Sequence, residues 1–163
     1  MPRHLPREPR MSLLDAMAGV PSAALPLPWL ATAGQPSAKQ FAAAKAAGVQ
    51  VVIDLRDPME PRPFDEAATL RALGIEYLNI PVVSGALSTA TLEKILAALR
   101  AQAGTPTILH CASANRVGGA LIPYFVLDEG MTEQDAVDAA MRVGLRSAEL
   151  MTWGTDYARS QQK

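Results

Sequence analysis

The chain has one cysteine, and the residues around it constrain its fold and chemistry more than any other stretch. Cys111 lies within Ile108-Leu109-His110-Cys111-Ala112-Ser113-Ala114-Asn115-Arg116-Val117-Gly118-Gly119. The apolar run from Thr107 to Leu109 reads as a buried strand. A helical pattern starts at Arg116 or Val117 and continues to about Leu127. Cys111 is therefore expected at a strand end, where a tight loop of small residues runs into a helix N-terminus. Backbone N–H groups of such a loop point inward, and the helix adds partial positive charge. Arg116 adds a full charge and a planar fork of donors suited to a tetrahedral oxyanion. A thiolate is stabilised in that setting, which makes Cys111 a candidate nucleophile facing an anion cradle. An inert core cysteine has bulky apolar neighbours, whereas Ala112, Ser113, Ala114 and Asn115 are poor core material.

The rest of the chain bounds the class. At 163 residues it is expected to form one domain with a proper core. Its net charge of -1 gives no reason to expect bulk binding to nucleic acid or to a membrane. A single cysteine excludes an internal disulfide, and with only two histidines no zinc cluster, metal or other cofactor is expected. A lone thiol that must stay reduced fits the cytoplasm. The first ten residues carry three arginines and the following stretch is fairly apolar, but Asp15, Pro21, Pro26 and Pro28 interrupt it. That is not the clean apolar core of a secretory signal. Residues 1–24 read as a flexible extension, in which Met11 is a candidate start and His4 a tail residue, and residues 25–163 as the single domain.

Along the chain, helices alternate with short apolar strands. Leu25 to Ala33 suggests a short edge strand before the turn at Gly34-Gln35-Pro36. Ser37 and Gln40 form a capping box for a helix ended by Gly48. Val49 to Leu55 is β-branched and reads as a buried strand, and Ile75 to Val82 as another, with a helix over about Phe64 to Leu73 between them. Ser88 caps a helix to about Ala103, with Leu92, Ile95, Leu96 and Leu99 on one face. After Cys111 everything reads helical: one helix to about Glu129 with Pro123 inside it, one from Thr132 to Gly144, and one from Ser147 to about Arg159. Pro123 removes a backbone donor and should kink its helix. The pattern predicts an α/β fold with a mainly parallel central sheet flanked by helices and an all-helical C-terminal part. The ligand crevice of such a sheet lies at the carboxyl ends of the strands. Cys111, Arg56-Asp57 and Ser84-Gly85 all fall at such ends.

His-Cys followed by a small-residue loop, Arg and a helix resembles the signature of the cysteine-based protein phosphatases. Other cues fall in the right order: Gly34-Gln35-Pro36, then Val52-Ile53-Asp54-Leu55-Arg56, then Gly74-Ile75-Glu76-Tyr77-Leu78-Asn79-Ile80-Pro81-Val82. Together they resemble the bacterial beta-lactamase-hydrolase-like, phosphatase-like family, a branch of the dual-specificity-like phosphatases, over about Leu25 to Tyr157. The resemblance implies a cysteine-phosphatase-like fold and a phosphorylated substrate, protein or small molecule. It implies that the Cys111 thiolate attacks phosphorus and that water hydrolyses the cysteinyl-phosphate. Arg116 and the loop N–H groups from Ala112 through Ser113, Ala114 and Asn115 to Arg116 would hold the phosphate oxygens. His110 would tune Cys111, Asn115 would brace the loop, and Ser113 would donate to phosphate or thiolate.

The sequence departs from that pattern in three ways. Four residues separate Cys111 from Arg116 where standard members of the superfamily have five. Val117 replaces the usual Ser or Thr after the arginine. The loop Val83 to Leu87, where those enzymes carry an aspartic general acid, has no carboxylate. A general acid contributes about 10²–10⁴-fold. Asp57 is the best substitute, since it ends a neighbouring strand at the same sheet edge; a solvated turn residue before Pro58 is the competing reading. Asp54 reads as structural, and Glu60 ranks third. Arg56 either adds charge to the crevice or pairs with Asp57 or Asp54. The four-residue spacing also occurs in rhodanese-type sulfurtransferases, the main enzymatic rival, although Cys111 follows the last discernible strand where a rhodanese has another. A non-catalytic phosphate-binding module is the third reading. The absence of further basic residues in the loop argues against a polyanionic substrate. The sequence does not fix the oligomeric state.

Overall fold

The computed structural model describes residues 12–162. A five-stranded sheet runs through the molecule in the order β1 (Ala24–Leu27), β2 (Leu30–Ala33), β5 (Thr107–His110), β3 (Val51–Asp54), β4 (Glu76–Asn79). β1 pairs antiparallel with β2, and every other neighbouring pair is parallel. Parallel strands buried on both faces need continuous apolar sequence, and each residue of β2, β3 and β5 is buried. The alternation of side chains then separates two cores. Leu30, Val51, Ile53 and Leu109 face one, while Ala31, Val52 and Ile108 face the other.

The first core is roofed by α4 (Thr89–Gln102), α5 (Asn115–Leu127), α6 (Glu133–Val143) and α7 (Ala148–Gln161). The second lies under α1 (Leu13–Ala16), α2 (Ala38–Ala46) and α3 (Glu66–Leu73). Leu92, Ile95, Leu96 and Leu99 of α4 are buried, as their spacing predicts. α5 is enclosed on all sides, with every residue from Val117 to Val126 buried. Three glycines permit this. A Cβ on Gly118 would press on Leu145, and one on Gly119 on Leu150. A Cβ on Gly154 of α7 would overlap the Gly119 carbonyl oxygen, the oxygen that Pro123, four residues on, leaves without an intrahelical donor. Pro123 remains inside the continuous span of α5.

Two expectations change. The stretch Leu25 to Ala33 is not one edge strand but a hairpin turned at Pro28-Trp29, and its second arm, β2, lies inside the sheet beside β5. Within the expected N-terminal extension, residues 1–11, including His4 and Met11, lie outside the described residues. Residues 12–24 pack: Ser12 caps α1, Met17 is fully buried and Val20 joins the second core. No helix among the described residues is long and apolar enough to cross a membrane.

Candidate active site

β5 ends at His110, so Cys111 leaves the sheet between β2 and β3 at the carboxyl ends of both. Backbone bonds fix the loop on both sides. The Cys111 N–H donates to Ala33 O at 3.3 Å, the Leu55 N–H to His110 O at 2.9 Å, and the Gln35 N–H to Ala112 O at 3.1 Å. Gly34 approaches so closely that a Cβ there would lie 2.6 Å from Ala112 O. The loop closes through Ala114 at φ +68°, a left-handed conformation that costs a residue with a Cβ roughly 1–2 kcal/mol. No side chain caps the first turn of α5. Its leading N–H groups have no partner within the helix and lie at the positive end of a buried helix.

Arg116 lies in that first turn. Its fork grips Glu60 bidentately, Nη1 to Oε2 at 2.6 Å and Nη2 to Oε1 at 2.8 Å, and Nη1 also reaches Val82 O at 3.4 Å. Glu60, followed by Cys111, holds the guanidinium proton more firmly than usual, which places the sulfur within electrostatic reach of Arg116. Arg116 in turn keeps the Glu60 carboxyl below the ordinary carboxylate range, helped by the Asp57 N–H that donates to Glu60 Oε2 at 2.5 Å. The protein's own carboxylate thus occupies the donors expected to receive an oxyanion.

A cleft of about 460 Å³ opens beside this pair. Ser113, Asn115 and Arg116 form one wall, and Asp57, Glu60 and Glu149 supply carboxylates. Val82, Val83, Leu87 and Leu150 add an apolar side. Asp57 reaches the cleft as the strand-end argument expects, and its Oδ1 accepts the Met59 N–H at 3.0 Å. Cys111 is fully buried. Ala112 and Ser113 are exposed and Ala114 is buried. Asn115 braces a different segment from the one expected: its Oδ1 accepts the N–H groups of Arg146 and Ser147, at 2.8 and 3.2 Å, and so ties the start of α5 to the approach to α7.

Under the loop lies a charge cluster. Asp54 is fully buried and Arg56 is 2% exposed. Arg56 pairs bidentately with Asp54, Nε to Oδ1 at 2.9 Å and Nη2 to Oδ2 at 2.7 Å, rather than facing the crevice. Burial opposes the Asp54 charge, but Arg56, then His110, hold its carboxyl below the usual range. Tyr77 donates its hydroxyl to Asp54 Oδ2 at 2.7 Å; burial and that bond push its pKa up to about 12. Asp54, Glu66 and His110 each offer one ligand atom within 4.8 Å of the others. The Arg56 guanidinium already bonds both carboxylates, with Nη2 3.3 Å from Glu66 Oε1, so protein donors satisfy the group as it stands. Glu66, Gln35, Tyr77 and Glu149 do not stand out in the sequence as site residues. Glu66 follows the α3 cap Asp65, and an acidic residue there is so ordinary that it carries no separate signal.

Residues 26–121, more than half of the chain, match the family model described as beta-lactamase hydrolase-like protein, phosphatase-like domain. No curated protein matches the sequence. Among solved structures, a DUF442 protein of Shewanella putrefaciens CN-32 is 21% identical, with a TM-score of 0.79 over 90% of this chain and 97% of that one. TpbA of P. aeruginosa is 21% identical, with a TM-score of 0.67 over 85% and 84%; a variant with serine in place of a cysteine has been solved in complex with pTyr. The core catalytic domain of the PP-IP phosphatase SIW14 of S. cerevisiae is 14% identical, with a TM-score of 0.70 over 88% and 92%. At these identities the likeness is one of fold.

Proposed function

The chain belongs to the beta-lactamase hydrolase-like protein, phosphatase-like domain family, and from that premise we propose that it is a cysteine-dependent phosphatase acting on a phosphate monoester. The observation that carries this reading is the arrangement at the end of β5: a single cysteine, a loop closed by a left-handed Ala114, an uncapped helix N-terminus and Arg116 in its first turn. The Cys111 thiolate attacks phosphorus, the phosphorus–oxygen ester bond breaks, and the leaving oxygen takes a proton from Asp57 on the cleft wall. Water then attacks the cysteinyl-phosphate, its proton passes to Asp57, and the sulfur–phosphorus bond breaks to release phosphate and thiolate. Arg116 and the loop N–H groups neutralise the oxygens, which requires the phosphate to displace or share the Glu60 carboxylate. The catalytic unit is the single packed domain, residues 12–24 included, and the reduced thiol suits a cytoplasmic setting. The pTyr complex of TpbA supports a phosphate monoester, and the PP-IP phosphatase SIW14 supports phosphoryl-bearing substrates more broadly; neither chooses between a phosphoprotein and a small ester.

One observation favours a second reading. Only four residues separate Cys111 from Arg116, and the loop 83–87 carries no carboxylate. That spacing is the one noted for rhodanese-type loops, which cradle a persulfide. The deciding experiment is phosphate release from an aryl phosphate by the protein and by Cys111→Ser in parallel. Turnover that disappears in Cys111→Ser is the expected result, with Asp57→Asn slowing alkyl phosphates more than aryl ones. No turnover in either refutes the phosphatase. Thiosulfate-to-cyanide sulfur transfer and vanadate binding then separate a sulfurtransferase from a non-catalytic phosphate binder.

A further inference from the structure

The donors that a phosphate needs are held by a carboxylate of the protein. Arg116 binds Glu60 through both ends of its guanidinium, at 2.6 and 2.8 Å. Among the described residues, no other side chain lining the cleft is cationic, whereas Asp57, Glu60 and Glu149 all line it. The neighbouring arginines face elsewhere. Arg56 pairs with Asp54 and Glu66, and Arg62 reaches Asp54 and Tyr77. Arg146 rests Nη1 on the Gly144 carbonyl at 3.2 Å and does not line the cleft.

A phosphate dianion upsets this balance on arrival. It takes the guanidinium and leaves Glu60 with one donor, the Asp57 N–H at 2.5 Å. The freed carboxylate then lies beside the dianion with no counter-charge from the cleft. Its side chain is only 29% exposed, so water replaces the lost pairing at a cost. That cost falls on every substrate that brings negative charge alone. A substrate with its own cation avoids it. Its phosphate replaces the carboxylate at Arg116 while its cation replaces the guanidinium at Glu60, and one internal ion pair becomes two intermolecular ones. Spacing limits such a substrate. The Glu60 oxygens and the Arg116 nitrogens are in contact, so the groups that take their places lie a few bonds apart. An ammonium two or three carbons from the ester oxygen meets that requirement. Glu149, exposed in the first turn of α7, adds attraction at the mouth, and Val82, Leu87 and Leu150 offer an apolar wall to the methylenes.

We propose that the cleft selects phosphate monoesters of short amino alcohols: Glu60 receives the substrate's ammonium while Arg116 receives its phosphate, and Glu149 reinforces the choice at the mouth. The proposal rests on the reading of Arg116 as the receiver of phosphate and narrows the substrate class within it.

The test is calorimetric titration of three esters into Cys111→Ser, which binds without turnover. They are 2-aminoethyl phosphate, propyl phosphate, in which a methyl replaces the ammonium, and phosphoglycolate, which adds a carboxylate. At about pH 8 each phosphate is a dianion and the amine is charged. The aminoethyl ester is expected to bind about tenfold more tightly than the propyl ester, and phosphoglycolate more weakly than either. In Cys111→Ser/Glu60→Gln the propyl ester should gain about tenfold and the aminoethyl ester less than about threefold, so that the preference collapses. Cys111→Ser/Glu149→Gln should lose about threefold of it. A propyl ester that binds Cys111→Ser as tightly as the aminoethyl ester overturns the proposal, and this comparison decides even if the double variants fail to fold. Equal tightening of both esters by Glu60→Gln also overturns it, because the freed carboxylate then turns to water rather than to the substrate. Absence of aryl phosphate turnover in the wild-type protein would sink the phosphatase reading and leave the order of ester affinities untouched.

Discussion

Glu60→Gln is expected to tighten oxyanion binding about tenfold. Glu60 and Arg116 are 2.6–2.8 Å apart, and their side chains are 29% and 16% exposed. At an effective dielectric of about 20, two unit charges separated by ~4 Å attract by about 4 kcal/mol. Desolvation and the ordering of two side chains offset most of that, leaving roughly 1–2 kcal/mol for a partly buried bidentate pair. An anion that needs the same guanidinium donors must overcome this pairing, so its apparent affinity is lower by about 5- to 30-fold. Glutamine keeps the length and the contact with the Asp57 N–H but gives up the charge. The assay is calorimetric titration of sulfate, whose charge is constant over the relevant pH range, into Cys111→Ser and Cys111→Ser/Glu60→Gln. Lowering pH should reproduce the effect without mutation at Glu60. The folded-state pKa of Glu60 is depressed by Arg116, so the pair is intact above the unfolded value and is lost as pH falls through the folded one. Sulfate affinity of Cys111→Ser should rise across that window, and the Cys111→Ser/Glu60→Gln double variant should lack this component. Unchanged or weaker sulfate binding in Glu60→Gln would refute the competition argument and leave Glu60 as a support that aims Arg116.

Two further perturbations probe the frame that holds the site. Gly154→Ala places a methyl against the Gly119 carbonyl and Ile122, forcing α5 and α7 apart; a loss of about 1–3 kcal/mol in urea denaturation is expected, and an unchanged midpoint would contradict that packing. Arg56→Met strands the buried Asp54 charge and should cost about 3–5 kcal/mol, with Arg56→Met/Asp54→Leu recovering much of the loss. Because the folded Asp54 pKa is lowered, its contribution exists above the unfolded value and fades as pH falls through the folded one. Acid unfolding of the Asp54→Leu/Arg56→Met protein should therefore be less steep than that of wild type.

What the sequence made legible is local. The cradle is built from consecutive residues, so His110 to Arg116 announce a strand end, a small-residue loop and a helix start without reference to the rest of the chain. The helix caps at Ser37, Ser88, Thr132 and Ser147 are equally local, and each accepts the N–H it predicts. The hairpin of β1 and β2 is hidden because a two-residue turn inside one apolar run leaves no polar break, and the placement of β2 beside β5 depends on pairing residues more than seventy positions apart. The counter-charges are non-local for the same reason. Glu66 meets His110 across 44 residues and Glu60 meets Arg116 across 56. In sequence, one is a helix-start acid and the other a carboxylate in a proline-rich loop. This division has a consequence for function. The residues that create an anion site can be read in order along the chain, whereas those that decide whether its arginine is free are chosen by the fold. Two chains with the same Cys-to-Arg loop can therefore differ in oxyanion affinity by the whole worth of a Glu60–Arg116 pair.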